Sequence, residues 1–576
     1  MTRRQLLASP AFAAAQTKPP NIVLILTDDQ GWWDVSRNGN RSIETPVMDR
    51  LAAEGVSFQR FYASPVCAPT RASIMTGRYY LRTGIYNTRF GGDTLDASEI
   101  TIAQLLQARG YRTGLFGKWH LGHYRRFHPD QRGFHRWVGF TQGHVERYFH
   151  PDQLLDNGKP VKARGHITDL LTDCAIDFVK DNRERPFFLH LAYNVPHSPN
   201  HVENRWTGRY LKKGVPLEDA QIYGMLSHCD ENIGRLLRTL DDQGQRDNTL
   251  VIFLSDNGGV SKYFKAGLRG QKASAYEGGI RVPCFLRWPG RIAPGTEDKS
   301  ARAAMDLFPT IAEAAGAPTP KDRPIDGKSL LSPPPERALF HIWDRFQPSL
   351  KSNWSITRGR HKLTRTELFD LEADPSEKVN LAAQQPEAAA SLRREFETWL
   401  AEVTRGRRFE PAAIEVGRPD ENPVELHPSW AIVKGTNVTW ASPGGTPSKP
   451  EALPQSGAST VNYSFAGYDW DTIDGWRNPG DGAEWKLDVV VAGRYRVRLA
   501  YGCRAAASGG RWRFEVGRAL LEGVVSATPG HNIFQEFDAG ELRLTKGPVT
   551  ARISAVEERK EELMALNRIW LERIGR

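Results

Sequence analysis

Pro20-Asn21-Ile22-Val23-Leu24-Ile25-Leu26-Thr27-Asp28-Asp29-Gln30-Gly31 is the stretch on which the fold turns. An unbroken aliphatic run reads as a strand buried on both faces, because a strand with one wet face alternates polar and apolar side chains. Such strands belong to α/β sheets covered by helices on each side. Asp28 and Asp29 follow at the carboxyl end, where open α/β sheets place their ligand sites. Two adjacent carboxylates there repel unless a cation lies between them. Taken alone, Asp-Asp-Gln-Gly is equally satisfied by a helix cap or a turn.

The same grammar recurs along the chain. Thr45 to Gly55 is a capped helix ended by glycine, and Phe58 to Tyr62 is a short strand. Ser98 is expected to cap a helix bearing Ile102, Leu105 and Leu106 and ending at Gly110. Tyr111 to Phe116 is a strand running into Gly117-Lys118-Trp119-His120-Leu121-Gly122. Lys118 and His120 are two apart, so in extended chain they point to one side. Ile167 to Lys180 is helical, and Arg185 to Tyr193 is a buried strand leading to Asn194-Val195-Pro196-His197. His190 lies inside that strand and is read as packed, which leaves His197 as the chemical candidate. The stripe Ile222, Met225, Cys229, Ile233, Leu236, Leu237 and Leu240 marks a long helix and makes Cys229 a core residue. Asn248 to Ser255 is the next strand, ending in Asp256-Asn257-Gly258-Gly259 with a second pair of oxygen donors.

Between these elements lies Ser64-Pro65-Val66-Cys67-Ala68-Pro69-Thr70-Arg71-Ala72-Ser73-Ile74-Met75-Thr76. Pro69 suits a first helical turn and Gly77 a stop. Cys67 then sits at the positive end of a helix dipole with Arg71 one turn on, an arrangement that activates a thiol and attracts an anion. A lone cysteine is more often a small buried residue. Lys118 and His120, taken singly, are more often a surface lysine and an ordinary histidine.

Cys67-Ala68-Pro69-Thr70-Arg71 with Thr76-Gly77-Arg78 resembles the type I sulfatase signature Cys-x-Pro-x-Arg and its trailing Thr-Gly-Arg. Thr70 stands where many members carry Ser. The opening strand with Asp28-Asp29-Gln30-Gly31 resembles the sulfatase start, and Gly117-Lys118-x-His120-Leu121-Gly122 the second sulfatase signature. Leu268 to Pro283, with Lys272 before Glu277-Gly-Gly-x-Arg281-x-Pro, resembles the family's lysine loop, in which Glu277 and Arg281 are read as structural. The resemblance covers residues 20 to 405. It implies an alkaline-phosphatase-like α/β fold, a central mixed sheet flanked by helices, with a small C-terminal α+β subdomain.

The resemblance also implies the chemistry. Cys67 would be oxidised to formylglycine by a dedicated maturation enzyme, and one hydroxyl of the hydrated aldehyde would attack sulfur. The substrate alcohol would leave, and the second hydroxyl would lose a proton as the sulfated hemiacetal collapses. Arg71, Lys118 and a metal would hold the sulfate. His197 and Lys272 would serve the leaving oxygen, with His197 as proton donor, and His120 would take the proton that triggers collapse. Asp28, Asp29, Asp256 and Asn257, with modified Cys67, would hold the metal. These hard oxygen donors favour Ca²⁺, or Mg²⁺, over zinc.

The 576 residues are too many for one core and predict several domains. Residues 1–15, with Arg3-Arg4 before small apolar residues, resemble a twin-arginine-like export signal. The catalytic domain is expected over 20–330, the small subdomain over 331–405, a Pro/Gly/Ser-rich linker over 406–460, and an all-β sandwich over 461–576. Tyr468, Trp470, Trp476 and Trp485 in the sandwich are either its core or sugar-stacking faces, and the segment around them loosely resembles jelly-roll carbohydrate-binding modules. The formal charge of +10 is spread along the chain. It suits an anionic ligand, with no Lys/Arg block marking a nucleic-acid tail. No run of ~18 apolar residues predicts a membrane span. The five cysteines, widely separated, show no zinc-type spacing and suggest no disulfide framework.

The reading is therefore an exported sulfatase acting on sulfated carbohydrate. The alternatives are a phosphate or phosphonate monoester hydrolase of the same superfamily and a sulfated-glycan binding protein in which Cys67 is never oxidised. Trp32, Trp33, Arg89 and His144 are the candidates for substrate walls.

Overall fold

The computed structural model describes residues 18–89, 91–333, 336–345, 347–441 and 471–575. The expected export signal, Tyr468 and Trp470 lie outside them. In the described residues the central sheet has ten strands: β1 Asn21–Asp28, β2 Val56–Tyr62, β3 Arg112–Lys118, β4 Arg136–Phe140, β5 Leu155–Asp156, β6 Lys159–Pro160, β7 Phe187–Pro196, β8 Thr249–Ser255, β9 Cys284–Arg287 and β10 Thr296–Ala303. Their spatial order is β10-β2-β9-β8-β1-β7-β3-β4-β5-β6. β8, β1, β7, β3 and β4 run parallel to one another. β9 is antiparallel to both β8 and β2, so β2 again points the same way as β8. The carboxyl ends of β1, β2, β3, β7 and β8 therefore open on one edge of the sheet.

β1 is buried at every position, and its alternate side chains serve two cores. Ile22, Leu24 and Leu26 join one apolar cluster, while Val23 and Ile25 join the other. The helices that cover these faces are α1 Pro46–Ala53, α2 Cys67–Thr76, α3 Ile102–Gln107, α4 Ile167–Asp181, α5 Asn204–Leu211 and α6 Leu217–Asp242. Cys229 on α6 is fully buried. The expected cap of α3 shifts: Thr101, not Ser98, closes a capping box with Gln104. A hydroxyl must sit directly before the first helical residue to reach the third N–H, and Ser98 lies too far upstream.

After the central sheet come four antiparallel strands between Ala338 and Asp370 and the helix Pro386–Val403. Leu392, Phe396 and Trp399 of that helix pack in the same cluster as Leu24 and Leu26, so this subdomain shares the main core.

The interval 406–460 is not a linker where it is described. Ile414–Val416 pairs with Gly482–Val489, and Val424–Leu426 pairs with Ala565–Ile574. Ile432–Lys434 and Thr439–Ala441 also join the sandwich sheets. Runs of three residues are too short to show period two, and their Pro- and Gly-rich surroundings concealed them. Among the described residues the sandwich thus begins near Ile414 and packs two sheets of six strands face to face. Trp476 and Trp485 are fully buried in its core, which removes them as sugar-stacking faces.

Candidate active site

The shared edge of the sheet gathers the sequence-selected residues. α2 begins at Cys67, with Val66 extended before it and every residue of the helix buried. Cys67 Sγ and one carboxylate oxygen each of Asp28 and Asp256 lie within 4.8 Å of one another. One turn into α2, the Arg71 guanidinium donates to Asp256 Oδ2 through Nε at 3.0 Å and Nη2 at 2.8 Å, and through Nη1 to Lys118 O at 2.8 Å. Lys118 Nζ lies 2.6 Å from Asp28 Oδ2. Lys272 Nζ lies 2.6 Å from Asp29 Oδ1 and 2.8 Å from Oδ2. Asn257 Nδ2 donates to Asp29 Oδ1 at 2.8 Å.

Backbone form makes this crowding feasible. Asp29 adopts φ +72 and His120 φ +56, which ends the extended run beyond Lys118, so the expectation that Lys118 and His120 share a strand face is not met. Gly258 and Gly259 run against other backbone. A Cβ on Gly259 would lie 2.7 Å from Gly31 Cα, and one on Gly258 2.1 Å from Gly278 O. Only glycine lets the loop after β8 approach the loop after β1 this closely.

The donor set suits a hard divalent cation. Asp28 Oδ1 and Asn257 Oδ1 are buried and accept no hydrogen bond, and a buried acceptor left unpaired is costly. Both oxygens belong to the residues selected as metal ligands, with no histidine among them. A cation there would satisfy both and balance the carboxylates.

Charges set the titration of the cluster. Burial pushes the Asp28 carboxyl up, but Lys118, His197, Arg71 and Lys272 together outweigh it and hold it well below its ordinary range. Asp256 moves the other way, raised by burial and by the charge of Asp28 against the pull of Arg71. Burial lowers Lys272, yet Asp29 above all restores it, so its ammonium stays charged.

The two histidines differ. His120 Nε2 lies 3.0 Å from Thr88 O, and donation to that carbonyl leaves Nδ1, buried and without a partner, as a lone-pair acceptor. Burial, followed by the charge of Lys118, lowers its pKa to about 3. His197 follows β7 and contacts Ser198 O through Nδ1 at 2.7 Å, leaving Nε2 3.9 Å from Asp29 Oδ2. Burial and then Lys272 bring it to about 4, against Asp29 and Asp28. His190 is confirmed inside β7, 3.3 Å from Leu24 O.

Of the wall candidates, Trp33 is fully buried and donates to Ser261 Oγ at 2.7 Å, a core role. Trp32 lies beneath the Arg281 guanidinium at 4.3 Å. Arg89 and His144 do line a cleft beside His120. Asp93, absent from the sequence reading, faces His120 Nε2 at 3.7 Å; no local signal distinguishes it from other loop acids. Glu277 is held by Lys362 at 3.0 Å and Tyr62 at 3.2 Å, away from the cluster's cations. A larger cavity of about 790 Å³ against β2 and β10 contains none of the site residues.

A family model described as sulfatase matches residues 20–317, and one described as the C-terminal part of N-sulphoglucosamine sulphohydrolase matches 270–405. N-acetylgalactosamine-6-sulfatase of Mus musculus is 36% identical over 400 residues, covering 62% of this chain and 74% of that protein. Human arylsulfatase A is 31% identical over 507 residues, covering 74% and 96%. Among solved structures, Ps i-CgsB in complex with k-i-k-neocarrahexaose matches with TM-score 0.62 and 32% identity, over 66% of this chain and 93% of that one. The phosphonate monoester hydrolase of Agrobacterium radiobacter shares the fold, with TM-score 0.51 and 22% identity over 67% of this chain and 96% of that one.

Proposed function

The chain belongs to the sulfatase family, and from that premise we propose that it hydrolyses sulfate esters of a carbohydrate with residue 67 as nucleophile. The observation that carries the reading is the approach of Cys67 to Asp28 and Asp256 within 4.8 Å, inside a ring of Arg71, Lys118 and Lys272. A reactive group at 67 would thus share its ligand sphere with a cation and face three fixed positive charges. For this the cysteine is oxidised to formylglycine by a maturation enzyme that reads Cys67-x-Pro69-x-Arg71. That group supplies, as its hydrate, an oxygen nucleophile stronger than an alcohol side chain. A divalent metal would be held by Asp28, Asp29, Asp256 and Asn257 with residue 67; its hard oxygen donors favour calcium, or magnesium, over zinc, and it would supply electrophilic polarisation of the sulfate.

The chain's own groups divide the remaining work. Arg71 and Lys118, both buried, neutralise charge on the sulfate oxygens, and their low-dielectric setting strengthens that interaction. His197 presents Nε2 toward the leaving oxygen, beside the Lys272 ammonium. An arriving sulfate anion opposes the charges that keep its imidazole neutral, which favours the proton it must donate. His120 is held neutral, with Nδ1 as its basic nitrogen, ready to take a proton from the hydrate oxygen. Asp93 and Thr88 O fix the ring's orientation. Export to an extracytoplasmic compartment, where sulfated polysaccharide is met, fits Arg3-Arg4 and the small residues after them.

The test is release of sulfate against phosphate over a panel of sulfated sugars, by protein coproduced with the maturation enzyme. Mass spectrometry of the peptide around residue 67 verifies the aldehyde. Sulfate release that disappears in Cys67→Ala is the expected result. Phosphate release alone, or glycan binding without turnover by aldehyde-bearing protein, would overturn the reading.

A further inference from the structure

His120, assigned the proton that is taken after the alcohol leaves, has a strained backbone. Its φ of +56 lies in the left-handed region, which a residue with a side chain adopts at a cost and keeps only where its surroundings hold it. The ring is held by Thr88 O at 3.0 Å. The backbone on either side of it is held from elsewhere.

Before His120, the Trp119 N–H donates to Phe140 O at the end of β4 at 2.9 Å. The Trp119 indole is buried in the main core and meets Phe134 edge-on, with centroids 5.9 Å apart. Its Nε1 donates to Phe127 O at 2.9 Å. After His120, Leu121 O accepts from the Leu95 N–H at 3.1 Å. Gly122 follows at φ +128, and a Cβ there would lie 2.4 Å from Phe127 Cβ, so only glycine admits the approach. Phe127 therefore braces the chain on both sides of the base.

Phe127 is itself fixed from outside the catalytic domain. With Tyr124 it is buried in the apolar core of the β-sandwich. Tyr124 meets Trp430 edge-on, with centroids 4.6 Å apart, and the helical turn Arg125–Phe127 joins the two rings. Around this insertion the Arg125 N–H donates to Glu421 Oε1 at 3.0 Å. Arg125 Nε lies 3.3 Å from Asp420 Oδ2, and Arg126 Nη1 lies 3.0 Å from Glu415 Oε1. Buried aromatics rimmed by ion pairs make a fixed joint, not a tether.

A proton acceptor works only while its geometry is held within a fraction of an ångström. We infer that Tyr124 and Phe127 are positioning residues for His120, and that the sandwich in which they are seated holds the base in its strained conformation. The sandwich is then a working part of the catalytic unit, a role separate from any binding of glycan. The inference rests on the sulfatase reading above, which gives His120 its proton.

The experiment uses the full chain with its aldehyde and 4-nitrophenyl sulfate as the probe. Wild type is compared with Phe127→Ala, Phe127→Leu, Tyr124→Ala and Tyr124→Phe, each with its Tm. The ratio kcat/KM reports the steps up to alcohol release, whereas kcat also contains the later proton transfer to His120. Phe127→Ala and Tyr124→Ala are expected to lower kcat about 10–100-fold, the scale of a small misplacement. The same variants should keep kcat/KM within about twofold of wild type and retain the burst of nitrophenolate. Phe127→Leu and Tyr124→Phe keep the socket filled and should restore kcat to within about threefold. Where the alanine variants do not fold, Trp119→Phe should show the same split, since it loses the bond to Phe127 O and keeps a ring in the core. An unchanged kcat, or a fall of kcat and kcat/KM together with the burst amplitude, would overturn the inference. Amide exchange followed by mass spectrometry gives a readout free of turnover: Phe127→Ala should exchange faster at Trp119 and Leu95, and unchanged exchange there would overturn the clamp. Wild type that bears the aldehyde and releases sulfate from neither this probe nor the sugar panel would remove the sulfatase reading, while exchange still decides the clamp.

Discussion

Glu277 sits in Glu-Gly-Gly-x-Arg-x-Pro beside the lysine loop, yet its surroundings are those of a buried structural ion cluster. Lys362 Nζ, fully buried, lies 3.0 Å from Glu277 Oε1 and 2.9 Å from Glu377 Oε1. Burial raises the Glu277 carboxyl, and Lys362 and Arg281 more than reverse it. Glu377 stays raised, by burial and by the charge of Glu277. Breaking a buried pair by removing one partner costs about 3–5 kcal/mol, because a charge is left uncompensated. Glu277→Gln leaves Lys362 with Glu377, so its cost falls at the lower end, about 3 kcal/mol. Lys362→Met strands two carboxylates against each other and reaches the upper end, about 5 kcal/mol. The double variant Glu277→Gln/Lys362→Met, which leaves one protonatable carboxyl, is expected to lose less than the sum of the two. Urea unfolding followed by fluorescence measures each loss, and sulfate release at saturating calcium measures kcat/KM of the folded enzyme. The folded Glu277→Gln enzyme should keep kcat/KM within about threefold, since Glu277 touches none of the groups that meet sulfate. A drop of a hundredfold with an unchanged urea midpoint would refute the argument and move Glu277 into the chemistry.

His120→Gln keeps a hydrogen bond to Thr88 O but loses the basic Nδ1; kcat for sulfate release should fall about 10²–10⁴-fold, with the initial burst of alcohol release in stopped-flow preserved. Asn257→Ala removes one of the orphan oxygens, and calorimetric titration should show calcium affinity lowered about tenfold or more, while chelator removal of the ion should abolish turnover in wild type. His341 is buried, and burial and then Lys362 depress it to about 3, below the unfolded value near 6.5. The native state then binds fewer protons than the unfolded chain between those values, so His341 costs nothing above pH 6.5. It withdraws up to about 1.4 kcal/mol of stability per pH unit as pH falls below it. His341→Phe, which keeps the ring contact with Tyr62, should flatten the fall of the urea midpoint between pH 6.5 and 4.5, and an unchanged slope would refute the assignment.

Much of the site could be read from local sequence because each of its parts lies where a strand or helix changes. Asp28-Asp29, Lys118, His197 and Asp256-Asn257 all lie at or just beyond the carboxyl ends of buried strands, and Cys67 opens a helix. Hydrophobic run length and turn residues are local quantities, so the ends of β1, β3, β7 and β8 were visible without knowing their neighbours. The cap of α3 was misplaced, since Ser98 and Thr101 both look like caps until the geometry of the first turn distinguishes them.

The sequence by itself determined the α/β character of the catalytic region, and its sulfatase-like signatures supplied the proposal of Cys67 as nucleophile beside a set of hard oxygen donors. The first follows from strand-length apolar runs and the residues at their ends, the second from the resemblance of the motifs. Only the tertiary structure decided the strand order, and with it that Lys272 meets Asp29 across 243 residues and Arg71 meets Asp256 across 185. It alone showed Asp93 against His120, Trp33 as core, and the sandwich beginning at Ile414, with Tyr124 inside it. Such pairings depend on which edges and faces remain to be covered after the local elements form. That is a property of the packed whole, and a strand of three residues carries no pattern from which to foresee it.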